Sequence, residues 1–334
     1  MISMAKMTMT KISFSMDQDT ATRGSGFGEA GYHIVRSLQE NGFEVPFRDP
    51  AAPVELAFAH PHNWKWSAMN YRLGYFPWES TGLKENWVQR MKLTDEIWVP
   101  APWMLIFKDL IDKPFYVYEH GIDFDVWKRT RRVRGERLRF LHLGEPAPRK
   151  GGQLALNAFV DLFANKEGVS LTIKADGYSQ ALGPENRHPY RCWNNVSVIL
   201  DKLSEPDLVR LVQDHDVLLY PSYGEGFGFI PLQAMATGMP TICTADWAGY
   251  KRFILPELRL DSKLEGSPFD IHPGKMWHPD EGHLRHLMQY CYDNFERLAA
   301  LAYAQVPYIY TDYQWKTLTN KAFRRFDTFS TPPG

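Results

Sequence analysis

The chain has 334 residues, a formal net charge of −1 at neutral pH and three cysteines. This length predicts two domains of about 150 residues each, and the near-zero charge excludes a global field that attracts nucleic acid or an anionic membrane. The odd number of widely spaced cysteines argues against a disulfide scaffold and against a zinc site. We therefore expect a cytoplasmic protein without a signal peptide or a membrane span.

Strands and helices alternate in the first third of the chain. A strand is predicted at 11–15, a helix in "EAGYHIVRSLQENGFEV" that stops near Gly42, and a second strand at 43–47. Further strands are predicted in "VELAFAHPHNW", "YRLGYFPWES", "EIWVP" and "PFYVYEHGID". This alternation predicts a parallel sheet covered on both faces, in a domain spanning 1–125.

A second alternating series follows a basic run at 128–139, which holds seven arginine or lysine residues and one glutamate. Its strands are "LRFLHLGE", "SLTIKAD", "NVSVIL", "DVLLYPS" and "PTIC", and its helices are predicted at 152–165, from Glu205 and at 231–238. We predict a second domain at 138–308 and a terminal helix at 310–330 that packs back on the first. The fold class is therefore α/β, with two doubly wound Rossmann-like domains.

The segment "GFGEAG" matches the dinucleotide-binding pattern through Gly26, Gly28 and Gly31, and Asp49 ends the next strand. This pattern favours an NAD(P)-dependent oxidoreductase. However, about ten residues separate the motif from the preceding strand, whereas the pattern requires the first glycine directly after the strand. Gly26 and Gly28 also fit a loop whose amides and helix dipole approach a phosphate, or a purely structural turn.

Two cations follow the first strand of the second domain, in "HLGEPAPRKGGQLALNAF". Arg149 and Lys150 precede a predicted helix, where positive side chains and amide dipoles act together on a diphosphate. A solvated surface pair is the alternative. The neighbouring glycines favour the diphosphate site because they leave the loop open to a ligand.

A second polar turn follows "DVLLYPS". In "GEGFGFIPLQ", Glu225 is followed by Gly226, Phe227 and Gly228, and Gln233 lies in the next predicted helix. A carboxylate accepts hydrogen bonds from sugar hydroxyls, glycine-flanked amides donate to them, and a glutamine amide does both. The alternative is a structural turn with a surface glutamate.

These segments resemble the retaining family-4 glycosyltransferases of GT-B fold. The resemblance rests on "GYFPWES", "DEIWVPAPW", "YEHGID", "FLHLGEPAPRKGG", "DVLLYPSYGEGFGFIPLQAMATGMPTI" and "YQW", in the family's order. It implies two domains facing across a cleft and a nucleotide-sugar donor, such as UDP-glucose or GDP-mannose, bound to the second. Arg149 and Lys150 then neutralise the diphosphate, and Glu225 contacts the transferred sugar together with the amides of Phe227 and Gly228.

Two departures from the family pattern concern the donor. Gln233 stands where the family has a second glutamate that holds the ribose, which removes a charge but keeps hydrogen bonding. Lys251 and Arg252 lie where relatives usually place an acid. The resemblance therefore leaves the donor base open.

The resemblance places the acceptor on the first domain. The candidate contacts are His60, His62, Trp78 and Glu79, at the ends of two predicted strands, and Glu79 joins Glu225, Arg149 and Lys150 as a catalytic candidate. Trp64 and Trp66 are further candidates for stacking on a sugar or a base.

By analogy with this family, we expect a reaction that retains the anomeric configuration and requires no metal. The acceptor is a hydroxyl group on a glycan, or on modified DNA or protein. Arg131, Arg132 and Arg134 in the basic run are candidates for contacts with an anionic acceptor such as DNA, against a solvated linker as the alternative. The competing functions are a catalytically weak nucleotide-sugar-binding protein, an NAD(P)-dependent oxidoreductase and a UDP-sugar epimerase.

Overall fold

The computed structural model describes residues 10–16, 25–66, 70–145, 147–175 and 193–326. Contacts between residues divide the chain into two units. The first comprises Met1–Trp78, Leu83–Gly121 and Asp312–Gly334, and the second comprises Glu79–Gly82 and Ile122–Thr311. Each unit contains a parallel sheet of its own.

The helices and strands follow one another as the alternating pattern predicts. In chain order they are β1 (Ile12–Met16), α1 (Gly26–Glu40), β2 (Val54–Phe58), β3 (Tyr71–Tyr75), α2 (Glu85–Met91), β4 (Glu96–Val99), β5 (Phe115–Val117), β6 (Leu138–Leu143), α3 (Gly152–Phe163), β7 (Val169–Lys174), β8 (Val196–Ile199), α4 (Glu205–Gln213), β9 (Val217–Tyr220), α5 (Phe229–Ala236), β10 (Thr241–Thr244), β11 (Arg259–Leu260), β12 (Ser262–Gly266), β13 (Lys275–Pro279), α6 (Glu281–Asp312) and α7 (Trp315–Phe323).

In the first unit, strands β1 to β5 lie side by side in chain order, all parallel. The segment 44–47 runs along the other side of β1, but pairs with it only through isolated bridges to Lys11 and Phe14. The predicted strand at 43–47 is thus not a regular strand, because Pro46 has no N–H to donate to a ladder. The chain crosses from this edge to β2, so the carboxyl ends of β1 and β2 form a topological switch point.

In the second unit, the parallel strands lie in the order β11-β10-β9-β6-β7-β8. The chain continues from β6 through β7 and β8 on one side, then returns to β9 on the other side. Strands such as "VLLY" are buried along their whole length, as expected for a sheet covered on both faces. The switch point, where ligands bind in such sheets, lies at the carboxyl ends of β6 and β9.

Each unit has its own apolar core. The core of the first unit contains large aromatic side chains, among them Trp64, Phe76, Trp87 and Phe107. The core of the second unit packs strands against helices α3 and α6 through residues that include Leu138, Phe140, Phe159, Leu219, Leu284 and Phe295.

The carboxyl-terminal segment differs from the single helix predicted at 310–330. Helix α6 ends at Asp312, and α7 begins at Trp315 after Gln314 adopts an extended conformation. Burial of the Tyr313 ring at the break, with its hydroxyl donating to Glu119 (2.9 Å), accounts for the interruption. Within the first unit, the Thr319 hydroxyl of α7 lies 2.7 Å from the Ser37 hydroxyl of α1.

Candidate active site

The loops after β6 and β9 meet at the switch point of the second sheet. The amide of Tyr223 donates to the carbonyl of Arg149 (2.9 Å), and the hydroxyl of Ser222 lies 3.3 Å from the same oxygen. These bonds fix the backbone of the arginine-lysine loop against the glutamate-glycine turn. Residues 75 positions apart in sequence therefore share one site.

Three glycines in these loops lie where a side chain would meet other atoms of the protein. Gly151 has a φ of 73°, and a Cβ there would lie 2.1 Å from the carbonyl oxygen of Pro221. A Cβ on Gly224 would lie 2.1 Å from the carbonyl oxygen of Glu79. Gly228 has a φ of 81° and is the N-cap of α5, under the rings of Trp247 and Tyr250. At these glycines the backbone approaches the protein's own chain, which the sequence pattern did not distinguish from approach to a ligand.

Glu225 is the centre of a buried charged cluster, not a surface side chain. Lys150 Nζ lies 2.9 Å from both carboxylate oxygens, and Arg149 Nη1 lies 3.1 Å from Oε1. The hydroxyls of Tyr220 (3.0 Å) and Ser222 (2.8 Å) donate to the same oxygen. The structure thus brings the three predicted donor-site side chains into direct contact.

Burial and contacts within the cluster shift the pKa values of Glu225, Arg149 and Tyr220. Burial opposes ionisation of Glu225, but the charges of Arg149 and Lys150 outweigh it and lower the pKa of Glu225 to about 2. Burial likewise disfavours the charged form of Arg149, yet Glu225 and Glu79 raise the pKa of its guanidinium. Burial, followed by the charge of Glu225, raises the pKa of Tyr220 well above its usual value. At neutral pH Glu225 is therefore an anion, Arg149 a cation and Tyr220 a neutral phenol.

Glu79, predicted on the acceptor side, belongs to the second unit with residues 79–82. Its carboxylate lies 3.7 Å from Arg149 Nη2 and 3.8 Å from His272 Nδ1. Backbone bonds from Thr81 to Lys275 (2.9 Å) and from Gly82 to Pro273 (3.0 Å) hold the segment against the connection between β12 and β13. Glu79 is thereby a neighbour of the Arg149 guanidinium.

The other predicted donor residues lie along the start of α5. Gly226 and Phe227 are buried in the turn, and Gln233 is half-buried within the helix. The hydroxyl of Tyr250 donates to the carbonyl of Gly228 (2.6 Å) and so fixes the point where the helix begins.

His60 and His62, which follow β2, and Trp78, which follows β3, lie together in the first unit. The rings of His60 and His62 both stack on Trp87, with centroid distances of 5.0 and 5.7 Å, and His60 also meets Trp78 edge-on (5.8 Å). Trp64 and Trp78 are only 1% and 3% exposed, so neither presents a free face for stacking. Trp66 is half-buried.

Gly26 and Gly28 form the first turn of α1 rather than an open loop. Ser25 caps this helix and accepts a hydrogen bond from the amide of Gly28 (3.0 Å). His60 is nearby, because its ring meets Phe27 of the same turn at 5.0 Å. The polar segment at 17–24 that precedes the helix lies outside the described residues.

The arginines of the basic run are not all exposed. The hypothesis of a contact with an anionic acceptor required side chains that reach the surface. Arg131 is exposed, whereas Arg132 is buried and donates to the carbonyls of His215 (2.8 Å), Val212 (2.9 Å) and Thr237 (2.9 Å). Arg134 is half-buried, bonds to the carbonyl of Tyr292 and lies over its ring. The hypothesis is wrong for Arg132, because its guanidinium is fully used inside the second unit.

Sequence reasoning missed Tyr220, Ser222 and His272. Tyr220 and Ser222 precede Glu225 in "YPSYGE", and their alternate spacing at a strand end was an available signal. His272 lies in the connection between β12 and β13, far from any recognised motif, so the sequence offered no indication of its proximity to Glu79.

Part of the chain matches a known protein family. Residues 123–257 match the family described as glycosyl transferases group 1, and this segment contains Arg149, Lys150, Glu225 and Gln233. Glycogen synthases from two strains of Mycobacterium tuberculosis are 28% identical to this chain over 127 residues. That alignment covers 38% of this chain and 30% of the glycogen synthases.

Solved structures resemble the chain over almost its whole length. Sucrose-phosphate synthase from Thermosynechococcus elongatus aligns with 97% of this chain and 100% of its own, with a TM-score of 0.71 and 13% identity. Anabaena Alr3699/HepE, in complex with UDP and glucose, aligns with 96% of this chain and 100% of its own, with a TM-score of 0.67 and 14% identity. The chain has the GT-B fold, which confirms the fold class predicted from the sequence.

Three further observations bear on the site. Among the described residues, no three histidine, cysteine, aspartate or glutamate side chains come together as a candidate metal site. Cys243 and Cys291 are free and buried, while Cys192 lies outside the described residues. In the described part of the chain, every helix is too short or too polar to cross a bilayer.

Proposed function

We propose that this protein is a retaining glycosyltransferase that moves a hexose from a nucleoside diphosphate sugar to an acceptor hydroxyl, without a metal ion. One observation carries the proposal. Arg149 and Lys150 lie side by side with Glu225 at the switch point of the second sheet, within the segment that matches the glycosyl transferases group 1 family.

The donor diphosphate is assigned to Arg149, Lys150 and the amino terminus of α3. The helix begins at Gly152, two residues after Lys150, so amide dipoles and side-chain charges favour an anion at the same place. Glu225 and Glu79 hold Arg149 and Lys150 in place, so that both cations stand ready for the phosphate oxygens. In a buried setting such fixed charges stabilise a leaving diphosphate without reorganisation.

The transferred sugar is assigned to Glu225 and the amides of Phe227 and Gly228, and the ribose to Gln233. Gln233 lies on α5, the helix that follows Glu225 directly. An uncharged amide both donates to and accepts from a diol. Gln233 therefore retains ribose binding with a weaker preference among nucleosides.

The acceptor is assigned to His60 and His62 of the first unit. The acceptor oxygen attacks the anomeric carbon as the bond to the diphosphate oxygen breaks, and that leaving oxygen takes the acceptor proton. Glu79 orients Arg149 for this step, since their charged groups lie 3.7 Å apart. Crystal structures of HepE contain UDP-glucose, which supports a nucleotide-sugar donor for the same fold.

A turnover assay tests the proposal. The protein is incubated with UDP-glucose, GDP-mannose, ADP-glucose or TDP-glucose and a panel of sugar acceptors, in EDTA or Mg²⁺. We expect release of one nucleoside diphosphate in EDTA, and proton NMR of the product shows the anomeric configuration of the donor. We expect Lys150→Gln to lower kcat/KM by about 100-fold. Lys202→Gln, at an exposed side chain, is the matched control.

Inverted configuration in the product overturns the retaining mechanism. Turnover that occurs only with Mg²⁺ overturns metal independence. Absence of turnover with every donor leaves the catalytically weak binding protein as the better account, provided that nucleotides still bind.

A further inference from the structure

A cavity of about 420 Å³ opens in the first unit beside β3 and α2. Its walls include His62, Trp64, Lys65, Trp66, Arg72 and Arg90. None of the described residues that line it carries a carboxylate. The volume lies in the range of small-molecule sites.

The positive charges of this cavity are available to a ligand. Lys65 and Arg90 are exposed, and within the described ranges neither forms an ion pair. Arg72 donates through Nη1 to the carbonyl of Leu93 (2.8 Å), so that its charge is not cancelled there. The carboxylate of Asp95 accepts a bond from the backbone amide of Arg72 (2.8 Å) rather than from its guanidinium. Guanidinium and ammonium groups clustered in this way favour a phosphate or a carboxylate.

Two buried N–H groups at the wall lack an acceptor among the described residues. They are Nε1 of Trp66 and Nε of Arg72. A buried donor without a partner is unfavourable, so an oxygen acceptor beside these two groups is favoured. The ring of Trp66, 5.8 Å from that of Trp64, adds a flat apolar surface beside these donors.

We propose that this cavity binds an anionic saccharide, a sugar that carries a phosphate or a carboxylate, as the acceptor of the transfer reaction. Its role as acceptor site rests on the proposed function. The cavity adjoins the acceptor candidates, because His62 lines it and shares the face of Trp87 with His60. The proposal assigns the contact with an anionic acceptor to Lys65, Arg72 and Arg90.

Isothermal titration of the full chain with glucose 6-phosphate tests the site without any turnover. We expect Arg90→Gln and Lys65→Gln each to weaken binding by about tenfold, the effect of one charged hydrogen bond. The exposed side chains of Arg36 and Lys108 in the same unit provide matched controls, Arg36→Gln and Lys108→Gln, which bind as the wild type does. Higher salt weakens binding, because the attraction is partly screened.

Glucose and inorganic phosphate are titrated in parallel. If glucose binds as tightly as glucose 6-phosphate, the site does not recognise an anionic group, and the proposal is wrong. If inorganic phosphate binds as tightly as glucose 6-phosphate, the site does not recognise a saccharide, and the proposal is also wrong. Tighter binding of a DNA oligonucleotide that is lost in Arg90→Gln overturns the proposal in favour of nucleic acid.

Donor hydrolysis without acceptor separates this inference from the proposed function. We expect Arg90→Gln to hydrolyse the donor at the wild-type rate. If the protein hydrolyses the donor but does not bind glucose 6-phosphate, the saccharide site is wrong and the proposed function is unaffected. Binding of glucose 6-phosphate by a protein that hydrolyses no donor supports the site and counts against its role as acceptor site.

Discussion

Glu225 remains ionised although it is buried, because four donors surround its carboxylate. Its pKa is lowered in the folded protein from the usual 4.5 to about 2. A carboxyl with a lowered folded-state pKa stabilises the fold above its unfolded pKa, and this contribution is lost as the pH falls through the folded-state value. The stabilising window therefore closes between about pH 4.5 and pH 2.

The substitution Glu225→Gln tests this electrostatic role. It leaves Lys150 without its carboxylate partner and Arg149 with only the more distant Glu79, and we expect the free energy of unfolding at pH 7 to fall by about 3 kcal/mol. Urea denaturation at several pH values measures the difference from the wild type. We expect that difference to be constant above about pH 5 and to shrink as the pH approaches 2.

Glu265→Gln is the matched control, because Glu265 is exposed on β12. It should unfold like the wild type at every pH. A difference for Glu225→Gln that does not change with pH would assign its role to packing rather than to charge.

Substitution by alanine should have different effects on stability at Gly228 and at Gly26. A Cβ on Gly228 would lie 2.6 Å from the Tyr250 hydroxyl in a left-handed backbone, so Gly228→Ala should destabilise the protein by about 2 kcal/mol. A methyl group on Gly26 would meet nothing within 4 Å, and Gly26→Ala should be neutral or stabilise α1 by up to about 1 kcal/mol. Thermal denaturation distinguishes the two. Equal melting temperatures would refute the structural role of Gly228.

At the scale of elements, the buried Arg132 links the ends of two helices. Its guanidinium bonds to Val212 near the end of α4 and to Thr237, the C-cap of α5. Carbonyls at helix ends have no partner inside the helix, and a cation there also interacts favourably with the helix dipole. The linker sequence is thus part of the framework of the second unit.

Arg132→Met should destabilise the protein by about 3 kcal/mol, because it leaves several buried carbonyls without a donor. Arg131→Met, one position away on an exposed side chain, should change stability by less than about 0.5 kcal/mol. Chemical denaturation of both variants provides the comparison. Similar stabilities for the two would mean that the buried bonds of Arg132 contribute little.

Sequence periodicity predicted most helices and strands, but it did not predict where the carboxyl-terminal helix is interrupted. The apolar runs of β6 and β9 and the glycine stop of α1 are local signals, and the structure reproduces them. The interruption between α6 and α7 was not predictable, because it depends on a long-range bond from Tyr313 to Glu119. Bonds of this kind leave no periodic trace in the sequence.

At the scale of the whole molecule, the alternation of strands and helices was sufficient to predict the fold class. Solved structures at 13–14% identity share the fold, since the pattern of buried positions survives when individual residues change. The sequence predicted Arg149, Lys150 and Glu225 for the donor site because each follows a strand, but it did not predict their ion pairs with one another. The proximity of His272 and the buried state of Arg132 required the tertiary structure, whereas Tyr220 and Ser222 had an available signal in their alternate spacing before Glu225.

Calorimetric titration of UDP, GDP, ADP, TDP and NAD into wild-type protein and Lys150→Gln tests the donor site directly. We expect one nucleoside diphosphate to bind in EDTA and Lys150→Gln to weaken its binding about tenfold, since one charge-assisted bond is lost. NAD should not bind. Binding of NAD alone, or a nucleoside diphosphate affinity that Lys150→Gln does not change, would contradict the assignment of the donor site.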